Sequence, residues 1–239
     1  MPDRSTNSDA TYRELIQAFT NFLTVAIHTI LYERGIYPQT SFLSARKYEF
    51  AVRQNRHPKV CEWINDAVDS AETELLKCTV DRLAVVIFDK QNKPLERFVF
   101  DVSRFPIVPI SEVDVPMQRM TADKTKLAIL PMVDLEEQLR ATMGRLSNCG
   151  STLEPLPTGC IFTLAIELRS EASRPVGHPQ PWIPTEPNVD QDTEQPRHVT
   201  TPIRAVKAGE MVFETWIDQL QPARTLSSQG TSSTGYDVK

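Results

Sequence analysis

Side chains suited to acid–base or nucleophilic chemistry are present but scattered along this 239-residue chain. The four histidines stand at separate places, and they are His28, His57, His178 and His198. Glu136 and Glu137 are adjacent, but neighbouring helix positions point about 100° apart and do not share a site. Phosphate-binding, zinc-protease and serine-hydrolase motifs are missing from the sequence. These observations predict that the protein is not an enzyme.

The cysteines do not suggest a metal site either. Cys61, Cys78, Cys149 and Cys160 lie too far apart for a Cys-x-x-Cys zinc knuckle, and no signal-peptide pattern precedes them. We expect reduced cysteines in an intracellular compartment, each acting as a small apolar residue. No metal and no cofactor are predicted.

The three tryptophans are the strongest candidates for binding residues. Trp63 falls in a helical pattern among polar neighbours, and Trp216 lies on the opposite strand face from Phe213. Core packing would account for both of these equally well. Trp182 has no apolar segment around it in Gln180-Pro-Trp-Ile-Pro184, so it must dock elsewhere or contact a partner. Exposed aromatic residues of this kind are typical anchors of protein interfaces.

Composition supports a folded binding module. Charged residues make up 24% of the chain and hydrophobic residues 40%, which is typical of a globular domain. The formal net charge is −5, so the chain lacks the basic surface that direct nucleic-acid binding requires. The longest apolar stretch, 22–31, is shorter than the roughly 20 residues of a membrane span. We expect a soluble protein that reaches DNA only through partners.

Periodicity predicts the elements that position these residues. Helices are expected at 12–33, behind a capping-box pattern at Thr11 and Glu14, from His57-Pro58 onward, and at 132–147. Strands at 83–88 and 98–102 form a central hairpin, 160–168 alternates as a further strand, and 203–206 with 211–217 form the last hairpin. Three helices and about five strands, mostly antiparallel, indicate an α+β domain.

Proline-rich composition marks the segment 174–202, which holds seven prolines and almost no aliphatic residue. Such a segment has no packed core of its own, and a loop this long is functional or disordered. Residues 103–131 are predicted to be a long connection. We expect one domain at 11–218, with 1–10 and 219–239 disordered.

Several separate blocks resemble the HORMA-domain family. The run from Phe22 to Tyr32 followed by Ile36-Tyr37-Pro38 resembles the opening helix of these proteins. Blocks at His57-Pro58, 85–100, 135–140, 159–163 and 181–183 resemble the family branch that serves DNA polymerase zeta as an accessory subunit, more than the spindle-checkpoint or meiotic-axis branches. The resemblance covers about 12–218 and implies a C-terminal safety belt, here about 169–217, that wraps over a partner peptide.

The resemblance also implies roles for individual residues. Tyr37, Trp63 and Trp182 fall where the family holds the prolines of the peptide, although the family position of Trp63 carries tyrosine. The implied surface for the C-terminal domain of a translesion scaffold polymerase consists of Pro202, Glu214 and Trp216. Arg140 matches an arginine of a HORMA homo- or heterodimer surface, whereas Ser44 and Gly35 depart from that pattern.

The implied function is a nuclear adaptor that links the catalytic subunit of DNA polymerase zeta to the scaffold polymerase in translesion synthesis. An alternative keeps the clamp but changes the partner to a spindle-checkpoint, chromosome-axis or DNA-end-protection protein. Sequence alone leaves the partners, the open or closed state of the belt, and dimerisation undecided.

Overall fold

The structure, a computed structural model, describes residues 10–120, 122–123, 126–169 and 197–221. The helices are α1 (Tyr12–Glu33), α2 (Pro58–Leu76) and α3 (Met132–Leu146). The strands are β1 (Phe42–Lys47), β2 (Phe50–Asn55), β3 (Val80–Phe88), β4 (Pro94–Asp101), β5 (Arg119–Met120), β6 (Lys126–Leu127), β7 (Ile161–Leu168), β8 (Arg197–Ala208) and β9 (Met211–Gln221). The three predicted helices are confirmed. Each helix end that the sequence analysis gave lies within one residue of the observed end.

Five strands form one antiparallel sheet in the order β7-β3-β4-β9-β8. The predicted hairpin of β3 and β4 is therefore central, as expected from their nearly continuous apolar residues. β7 and β8 occupy opposite edges of the sheet, although they follow each other along the chain. The α+β class with a mostly antiparallel sheet is confirmed.

Helix α1 forms the centre of the hydrophobic core. Its capping box is present, because the Glu14 amide donates to Thr11 Oγ1 and the Thr11 amide donates to Glu14 Oε2. Phe19 and Phe22 both pack edge-on or tilted against Phe213 of β9. By length and composition α1 could cross a membrane, but 67% of its most apolar window is buried, as in the core helix of a globular domain.

The β1–β2 hairpin is an element that the sequence analysis did not predict. Its turn residues Tyr48 and Glu49 both have a φ of 53°. Such a turn normally contains glycine or asparagine, because other side chains clash in the left-handed region. The usual sequence signal was therefore missing.

The predicted long connection contains secondary structure. It includes the short pair β5–β6, and residues 113–117 contact the residues around the start of α1. The Met117 amide donates to the Ala10 carbonyl, and Arg13 forms an ion pair with Asp114 at 2.6 Å. Ala10, one residue before the predicted domain start at 11, is fully buried.

The last hairpin extends further than its apolar residues indicated. β8 begins at Arg197 rather than at 203, and β9 continues to Gln221, past the predicted domain end at 218. Pro202 lies inside β8, which is an edge strand with a register shift beside it, so the missing amide proton costs little. The remaining parts of the predicted belt and tails, 170–196, 1–9 and 222–239, lie outside the described residues.

Candidate functional site

Three aromatic side chains from three elements meet at the beginning of β7. The ring of Phe162 on β7 lies edge-on to Trp63 of α2, with centroids 4.9 Å apart, and edge-on to Tyr37, with centroids 6.3 Å apart. All three residues are half-buried. We call Tyr37, Trp63 and Phe162 the aromatic cluster. It forms an apolar surface at the sheet edge, and aromatic surfaces of this type bind proline rings.

Tyr37 is positioned by the way in which α1 ends. Gly35 adopts a φ of 62°, its amide donates to the Tyr32 carbonyl, and the Ile36 amide donates to the Leu31 carbonyl. This is the Schellman arrangement, in which a left-handed residue closes the helix and turns the chain away. The extended Pro38, with φ −54° and ψ 133°, then carries the chain on from Tyr37.

A buried ion pair fixes the same end of α1 to the sheet. Arg34, the residue that caps the helix, binds both carboxylate oxygens of Glu96 in β4 at 2.8 Å and the Glu154 carbonyl at 2.6 Å. Gln219 of β9 donates to the same carboxylate at 3.3 Å. Both side chains are buried and are joined by two hydrogen bonds. Removing one of them would therefore leave the charge of the other unpaired in the core. The position of Tyr37 is thereby coupled to β4 and β9.

Trp63 is positioned by a network around the buried side chain of Asn55, at the junction of β2 and α2. The His57 amide donates to Asn55 Oδ1 at 2.8 Å, and Asn55 Nδ2 donates to Ser41 Oγ at 3.3 Å. The Asn55 amide donates to His28 Nδ1 at 3.3 Å, and the Cys61 thiol donates to the Asn55 carbonyl at 2.9 Å. These bonds set where α2 begins and hence where Trp63 points.

Two titratable groups near the cluster, His28 and Tyr37, are uncharged at neutral pH. Burial lowers the pKa of His28 to about 4, so its imidazole is neutral and Nδ1 is free to accept from the Asn55 amide. Partial burial also raises the pKa of Tyr37, which keeps the phenol protonated. Neither residue therefore supplies a charge for catalysis.

The outer edge of β7 lies beside the aromatic cluster. Among the described strands β7 pairs only with β3, so its other edge presents backbone donors and acceptors. Ile161, at the start of the strand, is 53% exposed. An edge of this kind accepts an additional strand from a partner chain.

The three residues predicted for the second surface lie on the sheet face opposite the helices. Pro202 pairs with Trp216, and Glu214 pairs with Ala205 one step along the β8–β9 hairpin, so all three predicted residues share that face. Trp216 Nε1 donates to Asp218 Oδ2 at 3.0 Å, and the Arg82 guanidinium lies 5.9 Å from the ring centroid. The indole is therefore held in one orientation before any partner arrives.

Arg140 lies on the exposed face of α3. No described acidic residue pairs with it. Within the part of the chain that the structure describes, no three His, Cys, Asp or Glu side chains come together as metal ligands. Burial raises the pKa of the Cys149 thiol to about 12, which makes it a poor nucleophile.

The structure brings together two of the three predicted peptide-binding residues, Tyr37 and Trp63, through Phe162. Trp182 lies outside the described residues. Sequence analysis predicted the strand that holds Phe162 but gave this residue no binding role, because nothing in the sequence indicates that β7 is an edge strand. Sequence analysis also gave Asn55 no role. The only indication of one was that Asn55 stands shortly before the helix start at His57-Pro58.

Comparison with known proteins identifies the family. The model of the HORMA domain matches residues 16–211. The chain is 33% identical over 207 residues to the DNA polymerase zeta processivity subunit of Schizosaccharomyces pombe, covering 87% of this chain and 93% of that protein. It is 27% identical over 220 residues to the mitotic spindle assembly checkpoint protein MAD2B of Homo sapiens, covering 90% and 95%.

A solved structure agrees with this assignment at the level of the fold. A chain in a crystal structure of the mitotic checkpoint complex superimposes with a TM-score of 0.64 at 16% identity, covering 86% of this chain and 98% of that one. The family model covers most of the chain, and this protein belongs to the HORMA-domain family.

Proposed function

We propose that this protein is a non-catalytic adaptor subunit of DNA polymerase zeta that clamps a proline-containing peptide of the catalytic subunit. The observation that carries the proposal is the aromatic cluster beside an edge strand without a second described neighbour. A peptide added to β7 gains main-chain hydrogen bonds, while its prolines rest on Tyr37, Trp63 and Phe162. The names of the polymerase zeta relatives supply the partner.

The connectivity of the sheet supports a clamp rather than an open groove. Between Leu168 and Arg197 the chain passes from one edge of the sheet to the opposite edge. The two edges are four strand spacings apart, about 19 Å at the usual separation. The 28 residues 169–196 could extend to about 90 Å, which leaves ample length to pass over a bound peptide. Trp182 lies within this stretch, and we propose that it completes the aromatic platform.

The second surface supports a bridging role. Pro202, Glu214 and Trp216 lie on the face opposite the helices, whereas the aromatic cluster lies on the helix side at β7. Two strands separate β7 from β9, so two partners bind without competing for the same residues. We propose that this surface binds the C-terminal domain of a translesion scaffold polymerase in the nucleus.

The proposal is tested by titrating a proline-containing segment of the polymerase zeta catalytic subunit by calorimetry. Trp63→Ala, Phe162→Ala and Trp182→Ala should each weaken binding by about tenfold or more, because each removes part of an apolar platform. Trp216→Ala is the matched control, and it should leave the peptide affinity unchanged while it abolishes binding of the scaffold domain. Equal peptide affinities for all four variants would contradict the proposed site.

A second candidate keeps the clamp and changes the partner. Several relatives carry the name of a spindle assembly checkpoint protein, which favours a client in that pathway. Affinity purification from the native cell, followed by mass spectrometry, separates the two candidates. Recovery of checkpoint, chromosome-axis or end-protection factors without polymerase subunits would favour the second.

Pairing with another HORMA domain through α3 is a separate proposal. Arg140 is exposed there and has no described acidic partner, so it is available to a second copy or to a related chain. Sedimentation of the wild type and of Arg140→Ala over a range of concentrations tests this. A monomeric wild type would exclude homodimers, and heterodimers would require co-purification.

A further inference from the structure

An open cavity of about 370 Å³ lies between the end of α1 and the start of α2. Its lining consists of Pro38, Thr40, Ser41, Arg56, His57 and Pro58. These residues comprise two prolines, two with hydroxyl groups, one with an imidazole and one with a guanidinium group. The lining therefore combines apolar rings with hydrogen-bonding groups and a permanent positive charge.

The cavity adjoins the aromatic cluster. Pro38 directly follows Tyr37, and Pro58 stands five residues before Trp63 on the same helix, a rise of about 7.5 Å. A peptide held on the cluster that continues in this direction enters the cavity within two or three residues. The two sites can therefore bind successive parts of one chain.

Charge around the cavity differs in sign from the rest of the molecule. Residues 46–59 contain five basic side chains and one acidic side chain, whereas the whole chain has a formal net charge of −5. Three of the basic residues have local partners. Arg46 pairs with Glu49, Lys47 lies over the Tyr48 ring at 5.4 Å, and Arg53 lies over the Tyr32 ring at 5.0 Å. Arg56 and Lys59 are exposed, and neither forms an ion pair with any described residue.

Hydrogen bonds within the protein hold the backbone around Arg56 in place without a ligand. The Arg56 amide donates to the Ser41 carbonyl at 2.9 Å, and the neighbouring Asn55 is 1% exposed with its side chain bonded on both sides. Ser41 Oγ in turn donates to the Pro38 carbonyl at 2.7 Å. The two strips of backbone that line the cavity are thus bonded to each other. A ligand would not have to order them, which lowers the entropic cost of binding.

We propose that this cavity binds an acidic stretch of the same peptide whose prolines rest on the aromatic cluster. Arg56 and Lys59 bind the aspartate or glutamate side chains that directly flank the proline-containing part. The inference rests on the proposed function and adds to it a rule for choosing among proline-containing peptides. Exposed ion pairs contribute modestly to affinity but strongly to selectivity and to the rate of encounter.

The test uses a peptide that binds in the titration above, prepared with neutral flanks, with glutamates on the N-terminal side, or with glutamates on the C-terminal side. One of the two acidic peptides should bind the wild type about three- to tenfold more tightly than the neutral peptide at low salt, with the gain shrinking at high salt. Arg56→Glu should abolish that gain and leave the affinity for the neutral peptide nearly unchanged.

Arg46→Glu is the matched control, because it makes the same change of charge at the other end of the hairpin. Arg46 stands four residues from Phe42, which pairs with Asn55, so it lies about 13 Å away along the strand. Its variant should retain the preference for the acidic peptide. Melting temperatures of both variants verify that they fold.

Four outcomes would overturn the inference. Equal binding of neutral and acidic peptides by the wild type would leave the proposed function intact and remove only this step. If Arg56→Glu and Arg46→Glu both lost the preference for the acidic peptide, the preference would come from the overall charge of the protein rather than from the cavity. If duplex DNA bound in a way that depends on Arg56, and the peptides bound equally well, the cavity would be a phosphate-binding site instead. Failure of every peptide to bind would contradict the proposed function as well.

Discussion

His28 shows how a single buried residue makes stability depend on pH. Its pKa in the folded chain is about 4, against an ordinary value of about 6.5 in an unfolded chain. Above pH 6.5 the residue is neutral in both states and adds no pH dependence. As the pH falls from 6.5 to 4, the unfolded chain binds a proton that the folded chain does not, so the unfolding free energy decreases by up to about 3 kcal/mol.

His28→Gln should reduce this pH dependence, because glutamine can still accept from the Asn55 amide and does not titrate. Urea denaturation between pH 7 and 4 measures the unfolding free energy of the wild type and of the variant. Carboxylates titrate alike in both proteins, so their contribution cancels in the difference. Gln54→Asn is the control, since Gln54 is an exposed residue of β2 that does not titrate, and it should leave the slope unchanged. Parallel curves for wild type and His28→Gln would refute the assignment.

At the residue scale, sequence analysis was most informative where residue type alone carried the meaning. Tyr37 follows a glycine that ends a helix, and Trp63 is an aromatic residue among polar neighbours. Phe162 could not be predicted, because its role depends on which strand edge stays unpaired. Asn55 and His28 bond across 27 residues, a separation at which sequence spacing carries no information about contact.

At the element scale, the turn between β8 and β9 fits closely against the segment before α3. Gly209 has a φ of 61°, and a Cβ added to it would lie 2.1 Å from the Ile129 carbonyl oxygen and 2.7 Å from Pro131. The Glu210 amide donates to that same carbonyl at 2.8 Å, and Arg119 forms an ion pair with Glu210 at 3.2 Å. The tip of the hairpin is thus held by the connection that precedes α3.

Gly209→Ala should destabilise the protein by clearly more than Gly35→Ala, although the two glycines have nearly the same φ. A Cβ added to Gly35 would meet nothing within 4 Å, so its alanine variant loses only the conformational term, about 1 kcal/mol. At Gly209 the backbone clash adds to that term. Chemical denaturation measures both free energies of unfolding, and equal losses would show that the hairpin tip is not closely packed.

The elements themselves were predictable to different degrees for physical reasons. Helix α1 carries its own start and stop signals, in the capping box at Thr11 and the left-handed Gly35. The β1–β2 hairpin carries neither, since its turn at Tyr48 and Glu49 uses two residues that rarely adopt positive φ. Tertiary contacts, such as Tyr48 packing against Phe22, outweigh local preference there.

At the scale of the whole molecule, strand order is the feature that sequence could not provide. β7 and β8 are successive in sequence but stand at opposite edges, because β9 pairs with β4 and so places the hairpin away from β7. Gln219 of β9 reaches the buried Arg34–Glu96 pair, which also fixes the end of α1. The position of the hairpin and the position of Tyr37 are therefore parts of one packed arrangement.

The proposed clamp makes release of the peptide depend on this distant hairpin. A peptide enclosed by a chain that is anchored at both sheet edges leaves only when one anchor opens, so its dissociation rate follows the stability of β8–β9. Gly209→Ala should therefore speed dissociation by an order of magnitude or more, although Gly209 does not contribute to the aromatic cluster.

Surface plasmon resonance with immobilised peptide measures this rate. Ile16→Ala is the control, because it removes a fully buried side chain from α1 and destabilises the fold without altering the hairpin tip. When the two variants have equal stability, the peptide should dissociate more slowly from Ile16→Ala than from Gly209→Ala. Equal rates in the two variants would mean that peptide release follows global unfolding, and an unchanged rate in Gly209→Ala would mean that the peptide leaves through an open groove.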